Sequence, residues 1–452
     1  MAPVEALLLT TFIICYLLYD DWKRRPNVSY ALWIPLIWMM ITGSRMLSHW
    51  FSGGTVEIST DAYAYLEGSP FDRIVFIMLI IAAGITLLRR NVEWGEVLGR
   101  NKWIVLLVLY SFISIAWSDF PDVSLKRWIK MIGVFLMTLV VFTEDDPVEA
   151  LRTLGRRCAF ILIPMSLTLY KYFPGMGRGY HPYTGELSIL GVTNSKNSLG
   201  ALCLVCGLFL IWELWTRKDS KNTKFSTNKF AIIFLIFPIL FWLLYKANSA
   251  TAIACFIIGI FTFYIMKRVT QRNKTFLGFV LIEGILIVAG LEYLFDGLGF
   301  YVLELGTKLL GRDLTFTGRT DLWNDLMSMA GSPMSGYGYG SFWLGERMEK
   351  MWQMYWWHPN EAHNGFIEIY LDLGIIGVII LGGIIISAFR SKMKEVDENM
   401  TLMSLRWTLL IVSIMYNITE SAFRPDLLLF FIFNLAIFQV PAKSNQRLRP
   451  TP

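Results

Sequence analysis

Residues 358–366, "HPNEAHNGF", put His358, Glu361, His363 and Asn364 directly before a long apolar run. Imidazole titrates near neutral pH and a nearby carboxylate can hold its tautomer, so His363 with Glu361 is a candidate pair for moving a proton. A metal reading needs three or four ligands at compatible spacing. Neither an H-E-x-x-H pattern nor a cysteine accompanies these residues, so no metal is expected here. Asn364 suits the cap of the helix that the following run must form.

Other polar groups stand at similar places. "TNSKNSLG" sets Lys196 and Asn197 before one apolar run, "YKANSAT" sets Lys246 and Ser249 before another, and "AFRPD" sets Arg424 before the last. "FTGRTDLWNDLMSMA" reads as a short amphipathic helix with Thr320 as its cap and Arg319 just ahead of it. A helix start presents unpaired N–H groups and the positive end of its dipole, which together favour an anion. Arg adds a planar fork that grips phosphate with two hydrogen bonds. Any one of these cations could simply snorkel to a membrane surface. Several cation-and-cap pairs on one face suit a diphosphate.

The elements that carry them are membrane helices. The chain has 452 residues, 55% hydrophobic and 17% charged, with mean hydropathy +0.49, which excludes an ordinary soluble protein. The reading gives thirteen spans, near 4–19, 30–47, 70–88, 103–118, 128–143, 158–173, 198–215, 230–245, 249–266, 276–295, 366–389, 402–418 and 425–440. The fold expected is thus all-α and polytopic, with about 12–13 transmembrane helices in a single membrane domain over 1–452. No cleavable signal peptide is read at the N-terminus.

Basic residues set the orientation. Roughly 25 Lys and Arg fall on one set of connecting loops and roughly 15 on the other, which puts the N-terminus outside and the C-terminus inside. The net charge of +6 follows from that bias and does not point to nucleic acid. On this topology the long segments 174–197 and 296–365 lie outside, as do all four histidines, His49, His181, His358 and His363. All five cysteines fall inside spans, and the Cys203-x-x-Cys206 pair reads as helix packing. Trp352, Tyr355, Trp356 and Trp357 suit an interfacial aromatic belt, or failing that a sugar-stacking path. The glycine-rich stretch 331–340 lacks the spacing of a nucleotide-binding loop.

"GVTNSKNSLG" (191–200), "KANSAT" (246–251), "TGRTDLW" (317–323), "EAHNGFIEIYLDLGIIG" (361–377) and "NITES" (417–421), in that order, resemble the bacterial O-antigen ligase and polymerase superfamily, its exopolysaccharide-polymerase branch in particular. "WSDFPDVSLKR" (117–127) also looks like a feature of the family; residues before 120 carry no such likeness. The resemblance implies a multi-pass inner-membrane glycosyltransferase working at the periplasmic face. Its substrate would be a glycan on undecaprenyl diphosphate, with no nucleotide sugar, cofactor or metal. Residue by residue, it implies that Arg319 holds the diphosphate and steadies the leaving group, with Lys196 as a helping point charge. His363 would act on the incoming hydroxyl, supported by Glu361, and transfer would invert the anomeric centre. Asn197, Lys246, Ser249, Asn364 and Arg424 would line the substrate site. Membrane lipids, a flippase and a chain-length regulator are the partners it implies. A ligase delivering glycan to lipid A core is the alternative, and a transporter a more distant one, since the chain shows no internal repeat.

Overall fold

A computed structural model of the protein describes residues 1–23, 26–51, 69–180, 185, 187–218, 227–269, 319–395 and 400–439. Apolar runs become helices because hydrocarbon leaves each backbone N–H and C=O to find its partner within the segment. In chain order the helices are α1 (Pro3–Lys23), α2 (Trp33–Thr42), α3 (Leu47–Phe51), α4 (Pro70–Arg89), α5 (Trp94–Arg100), α6 (Lys102–Ile113), α7 (Pro121–Phe142), α8 (Pro147–Tyr172) and α9 (Pro174–Gly177). They continue as α10 (Lys196–Lys218), α11 (Thr227–Ala247), α12 (Ala250–Val269), α13 (Arg319–Ser328), α14 (Glu346–Met354), α15 (Gly365–Glu395), α16 (Met400–Thr419) and α17 (Leu428–Ile437). One antiparallel pair, Arg178–Tyr180 with Leu187–Ile189, is the only sheet among the described residues.

The protein is therefore an all-α polytopic membrane protein. Every expected span except 276–295 falls on a described helix, and 276–295 lies outside the described residues. By length and composition five helices can cross a bilayer alone, and α5 with the segment from α6 to Trp117 would make a sixth, bent by 88°. Other expected spans are shorter apolar helices, Tyr30–Thr42, Ile233–Ala247, Ala250–Met266 and Leu428–Ile437. The 158–173 span lies inside α8, which also carries the buried Arg156 and Arg157.

Two features outside the main apolar core position the polar segments. The first is a break in α15. Gly374 has φ 63 and ψ −165, so the helix stops and restarts there. The freed backbone groups pair with the glycine-rich stretch: Tyr337 N–H donates to Leu371 O (3.0 Å), Gly338 N–H to Asp372 O (2.8 Å) and Ile375 N–H to Pro333 O (2.9 Å). A Cβ on Gly336 would sit 2.5 Å from the Asp372 carbonyl carbon, so only glycine lets the backbones approach this closely. Gly338 and Gly340 are close to other neighbours, Ser114 with Ser118 and the Arg127 side chain.

The second feature is a small separate core. Leu322, Leu326, Phe342, Trp343, Met351, Ala362 and Leu371 pack together, tying α13 and α14 to the first turns of α15. Residues 319–364 are thus a folded cap on one end of the helices. The described part of α13 runs Arg319–Ser328, and the residues ahead of it, 311–318, lie outside the described residues.

Candidate active site

Ala362 is held from both sides. Its N–H donates to Glu368 in a short hydrogen bond, and its carbonyl accepts from Trp323 Nε1 at 2.7 Å. Trp343 Nε1 donates to the same Glu368 at 3.0 Å. Next in the chain, His363 takes a left-handed backbone conformation, φ 51, which costs a non-glycine residue of order 1–3 kcal/mol. Asn364 then caps α15: its Oδ1 accepts from the N–H of Phe366 (3.0 Å) and Ile367 (3.1 Å). Its N–H donates to Ser421 Oγ and its Nδ2 to Ile418 O, which locks the segment to the end of α16.

These constraints aim the His363 ring at two carboxylates. Nδ1 lies 3.2 Å from Glu361 Oε1 and 3.2 Å from Glu420 Oε2. Each carboxylate is in turn held by an arginine. Arg319 Nη2 reaches Glu420 Oε1 at 3.3 Å while its Nη1 donates to Thr419 O at 2.6 Å. Arg424 Nη1 reaches Glu361 Oε2 at 3.4 Å and its Nη2 reaches Asp426 at 3.1 Å. Asn197 Nδ2, at the start of α10, donates to Glu420 at 2.9 Å. One side of the group stays open: the side chains of His363 and Glu361 are 21% exposed, Arg319 23% and Arg424 38%.

With both carboxylates on Nδ1, that nitrogen carries the proton and Nε2, on the far edge of the ring, is the free base of the neutral form. Burial alone would lower the pKa of His363, but its hydrogen bond to Glu420 and the charges of Glu361 and Glu420 outweigh that and raise it. Burial raises the pKa of Glu361, against the opposing charges of His363 and Arg424. An imidazole with these neighbours is a stronger proton acceptor than a free one. The ligand atoms of Glu361, His363 and Glu420 also lie within 4.8 Å of one another, close enough for a metal ion. The oxygens that face Nδ1 are Glu361 Oε1 and Glu420 Oε2, while the arginines hold the other oxygen of each carboxylate, so a cation here would take the place of the Nδ1 proton.

Of the residues expected from sequence, His363, Glu361, Arg319, Asn197, Asn364 and Arg424 come together in this one group. Lys196 is exposed beside Asn197 at the start of α10. Ser249 is buried at the start of α12, where its Oγ accepts from Ala252 N–H (3.5 Å) and its Cβ lies against Gly200. Lys246 is exposed, with its Nζ 5.7 Å from the Tyr245 ring, and no contact joins it to the group. The aromatics divide. Trp352 stacks on His358 and donates to Pro359 O, whereas Trp357 stands 5.9 Å from the His363 ring. Cys203 and Cys206 are buried among apolar residues, as packing groups are.

Glu420 is the residue that sequence reasoning passed over. The segment "NITES" was visible, but one acid just past a span reads as an ordinary helix-end charge. Glu368 was hidden in the same way within α15. Arg45 gave no signal at all. Its partners are the carbonyls of Met176, Gly191, Val192 and Thr193, at 2.8 to 3.2 Å, which fix the turn ahead of Lys196 and Asn197.

Residues 233–382 match the family described as Wzy_C, O-Antigen ligase. The chain is also similar to the exopolysaccharide production protein ExoQ of Rhizobium meliloti (strain 1021). The two are 26% identical over 359 residues, which cover 76% of this chain and 77% of that protein.

Proposed function

We propose that the chain is one of the O-antigen ligase/polymerase-like membrane proteins, a reading supported by the family match over residues 233–382 and the likeness to ExoQ, and that it polymerises polysaccharide repeat units carried on undecaprenyl diphosphate, at the outer face of the bacterial inner membrane. The observation that carries this reading is the placement of His363 Nδ1 at 3.2 Å from both Glu361 and Glu420, with Arg319 on the latter.

In the reaction the acceptor hydroxyl loses its proton to His363 Nε2 as its oxygen attacks the anomeric carbon of the donor sugar. The bond from that carbon to the diphosphate breaks, and its electron pair leaves on the diphosphate oxygen. Attack from the opposite side inverts the anomeric centre. Arg319 uses two donor groups on Glu420 and Thr419, and the rest of its fork is available to the developing negative charge. Glu361 and Glu420 hold the imidazole in the useful tautomer and stabilise the imidazolium that forms. The raised pKa of His363 suits both halves of that task.

The test uses full-length protein in membranes with an undecaprenyl-diphosphate glycan, comparing wild type with His363→Ala and Arg319→Ala, each with and without EDTA. Ladders of growing lipid-linked chains that vanish in both variants and persist in EDTA are expected. Undiminished product in both variants would show the site to be elsewhere. The matched family description also supports a ligase, and transfer of glycan to a different terminal acceptor would establish that reading instead.

A further inference from the structure

Arg45 stands between α2 and α3, outside the matched residues 233–382, and is 1% exposed. Its Nε donates to Val192 O at 3.2 Å, and its Nη2 to the carbonyls of Met176, Gly191 and Thr193 at 2.8 to 3.0 Å. Burying a cation on neutral acceptors is costly. What the guanidinium offers in return is a planar fork that gathers several carbonyls at once, which a point-like ammonium does less well. The segment around it is pinned. Trp50 Nε1 donates to Arg45 O (3.2 Å), and the Trp50 ring centre lies 5.4 Å from the guanidinium carbon. Ser48 donates its N–H and hydroxyl to the two oxygens of Asp72, in the first turn of α4, at 2.9 and 2.5 Å.

The gathered carbonyls belong to the turn that leads into α10. Gly191 takes φ 55, and a Cβ there would lie 2.8 Å from the Ser166 Cβ of α8. Thr193 Oγ1 lies 2.9 Å from Ser195 O, and Ser195 Oγ accepts from Ser198 N–H at 3.1 Å, so the turn passes directly into the helix start. Asn197, the second residue of α10, donates its Nδ2 to Glu420 Oε1 at 2.9 Å, and its carbonyl accepts from the Tyr416 hydroxyl at 3.4 Å. The other oxygen of Glu420 is the one that faces His363 Nδ1. A connected set of hydrogen bonds thus runs from Arg45 to the imidazole.

We propose that Arg45 is a positioning residue of the transfer reaction: by gathering the carbonyls of the 191–193 turn it sets Asn197 against Glu420, and so governs how much of the Glu420 charge reaches His363. The assignment rests on the reaction proposed above. It gives the connection between α2 and α3 a part in a site whose other members lie far along the chain.

The experiment uses full-length protein in phosphatidylcholine vesicles with an undecaprenyl-diphosphate glycan. It compares the pH–rate profiles of wild type, Arg45→Met, Asn197→Ala and the double variant. The groups facing His363 are Glu361 and Glu420, with Arg424 and Arg319 behind them. Without the Asn197 donor the charge of Glu420 is less offset, the imidazolium is favoured, and the acidic limb moves to higher pH. Both single variants should show that displacement, with the rate at the optimum lowered by about 10–10²-fold, as for a misplaced catalytic group. The double variant should lose no more than the worse single one, because both changes remove the same contact. Arg45→Lys keeps the charge and three donors on one nitrogen, so its profile should fall between wild type and Arg45→Met. It carries the test if Arg45→Met fails to fold. Unfolded protein lowers the rate but leaves the limb where it is.

A limb that stays at its wild-type pH in both Arg45 variants would overturn the proposal, as would losses that multiply in the double variant. So would an Asn197→Ala enzyme with the wild-type profile, since Arg45 would then have nothing to act through. His363→Ala run alongside separates the two ideas. If it leaves transfer intact, the proposed reaction itself falls; if it abolishes transfer while the Arg45 profiles stay put, only the positioning role falls.

Discussion

The two ends of the helices each hold a network of acids and arginines, and the networks differ in kind. At one end Arg156 pairs with Asp21 and Glu213, both at 2.5 Å, while Arg157 takes the second Asp21 oxygen at 2.7 Å. These side chains are at most 8% exposed. At the other end the pairs around His363 are longer, 3.2 to 3.4 Å, and open to as much as 38%. Asn197 and Glu213 lie on the same helix, about 24 Å apart along its axis at 1.5 Å per residue. A closed knot with short contacts ties helices together. A looser set built around an imidazole, on a strained backbone, retains the capacity to take up another charge.

The sharpest way to break this contrast is to remove the chemistry without touching the knot. His363→Ala is expected to lower glycan transfer by about 10²–10⁴, and Arg319→Ala by about 10²–10³, while thermal unfolding in detergent barely moves. An unfolding shift that accounts for the lost activity would make the His363 group structural after all. The converse change, Asp21→Asn, leaves Arg157 without its carboxylate and Arg156 with Glu213 as its close partner, and should destabilise the protein by about 3 kcal/mol in denaturant titration. Transfer per folded molecule should hold.

Glu420→Gln sharpens the comparison within the His363 network. Replacing the charge lowers the pKa of His363, so the acidic limb of the pH–rate profile should move to lower pH, with a rate loss smaller than that of His363→Ala. A limb that stays in place would exclude His363 as the titrating base. Gly374→Ala tests the cap from below. At φ 63, with its new Cβ 2.3 Å from the Met334 carbonyl carbon, it should cost about 1–3 kcal/mol and loosen residues 333–338 to hydrogen exchange.

The smallest expected effect is a linkage one. The folded-state pKa of His363 lies above its ordinary 6.5, so its contribution to stability is complete below that pH. It is lost as pH rises through the folded value. Wild type should therefore lose slightly more stability across that window than His363→Ala does, measured by unfolding at a series of pH values.

The helices were legible because apolar runs of this length have few alternatives, and basic loops marked their alternation. The catalytic candidates were legible because His363, Glu361 and Arg319 are chemically distinctive and stand at helix starts. Glu420 was not, since its role comes only from α16 ending beside the 361–364 segment. Nor was the break in α15. "YLDLGIIGVII" reads as continuous span, and Gly374 becomes a break only when residues 333–338 supply the hydrogen bonds that the helix loses. Lys246 differs from the others: its setting in the sequence resembles that of Lys196, but its exposed Nζ lies 5.7 Å from the Tyr245 ring, apart from the His363 group.

The break also fixes a level in the bilayer. From Gly374 to Phe389, ahead of the charged Arg390, the helix runs about 15 residues, or about 22 Å, so the break lies within a hydrocarbon core of about 30 Å. The cap hangs from this helix through the turn bearing Glu368 and Asp372, so the lipid around the helix also sets the height of the cap. Bilayers a few ångströms thinner or thicker would tilt or strain this helix and carry His363 with it. The acyl-chain length of the host membrane thus becomes a variable of the reaction, through a glycine that touches no substrate.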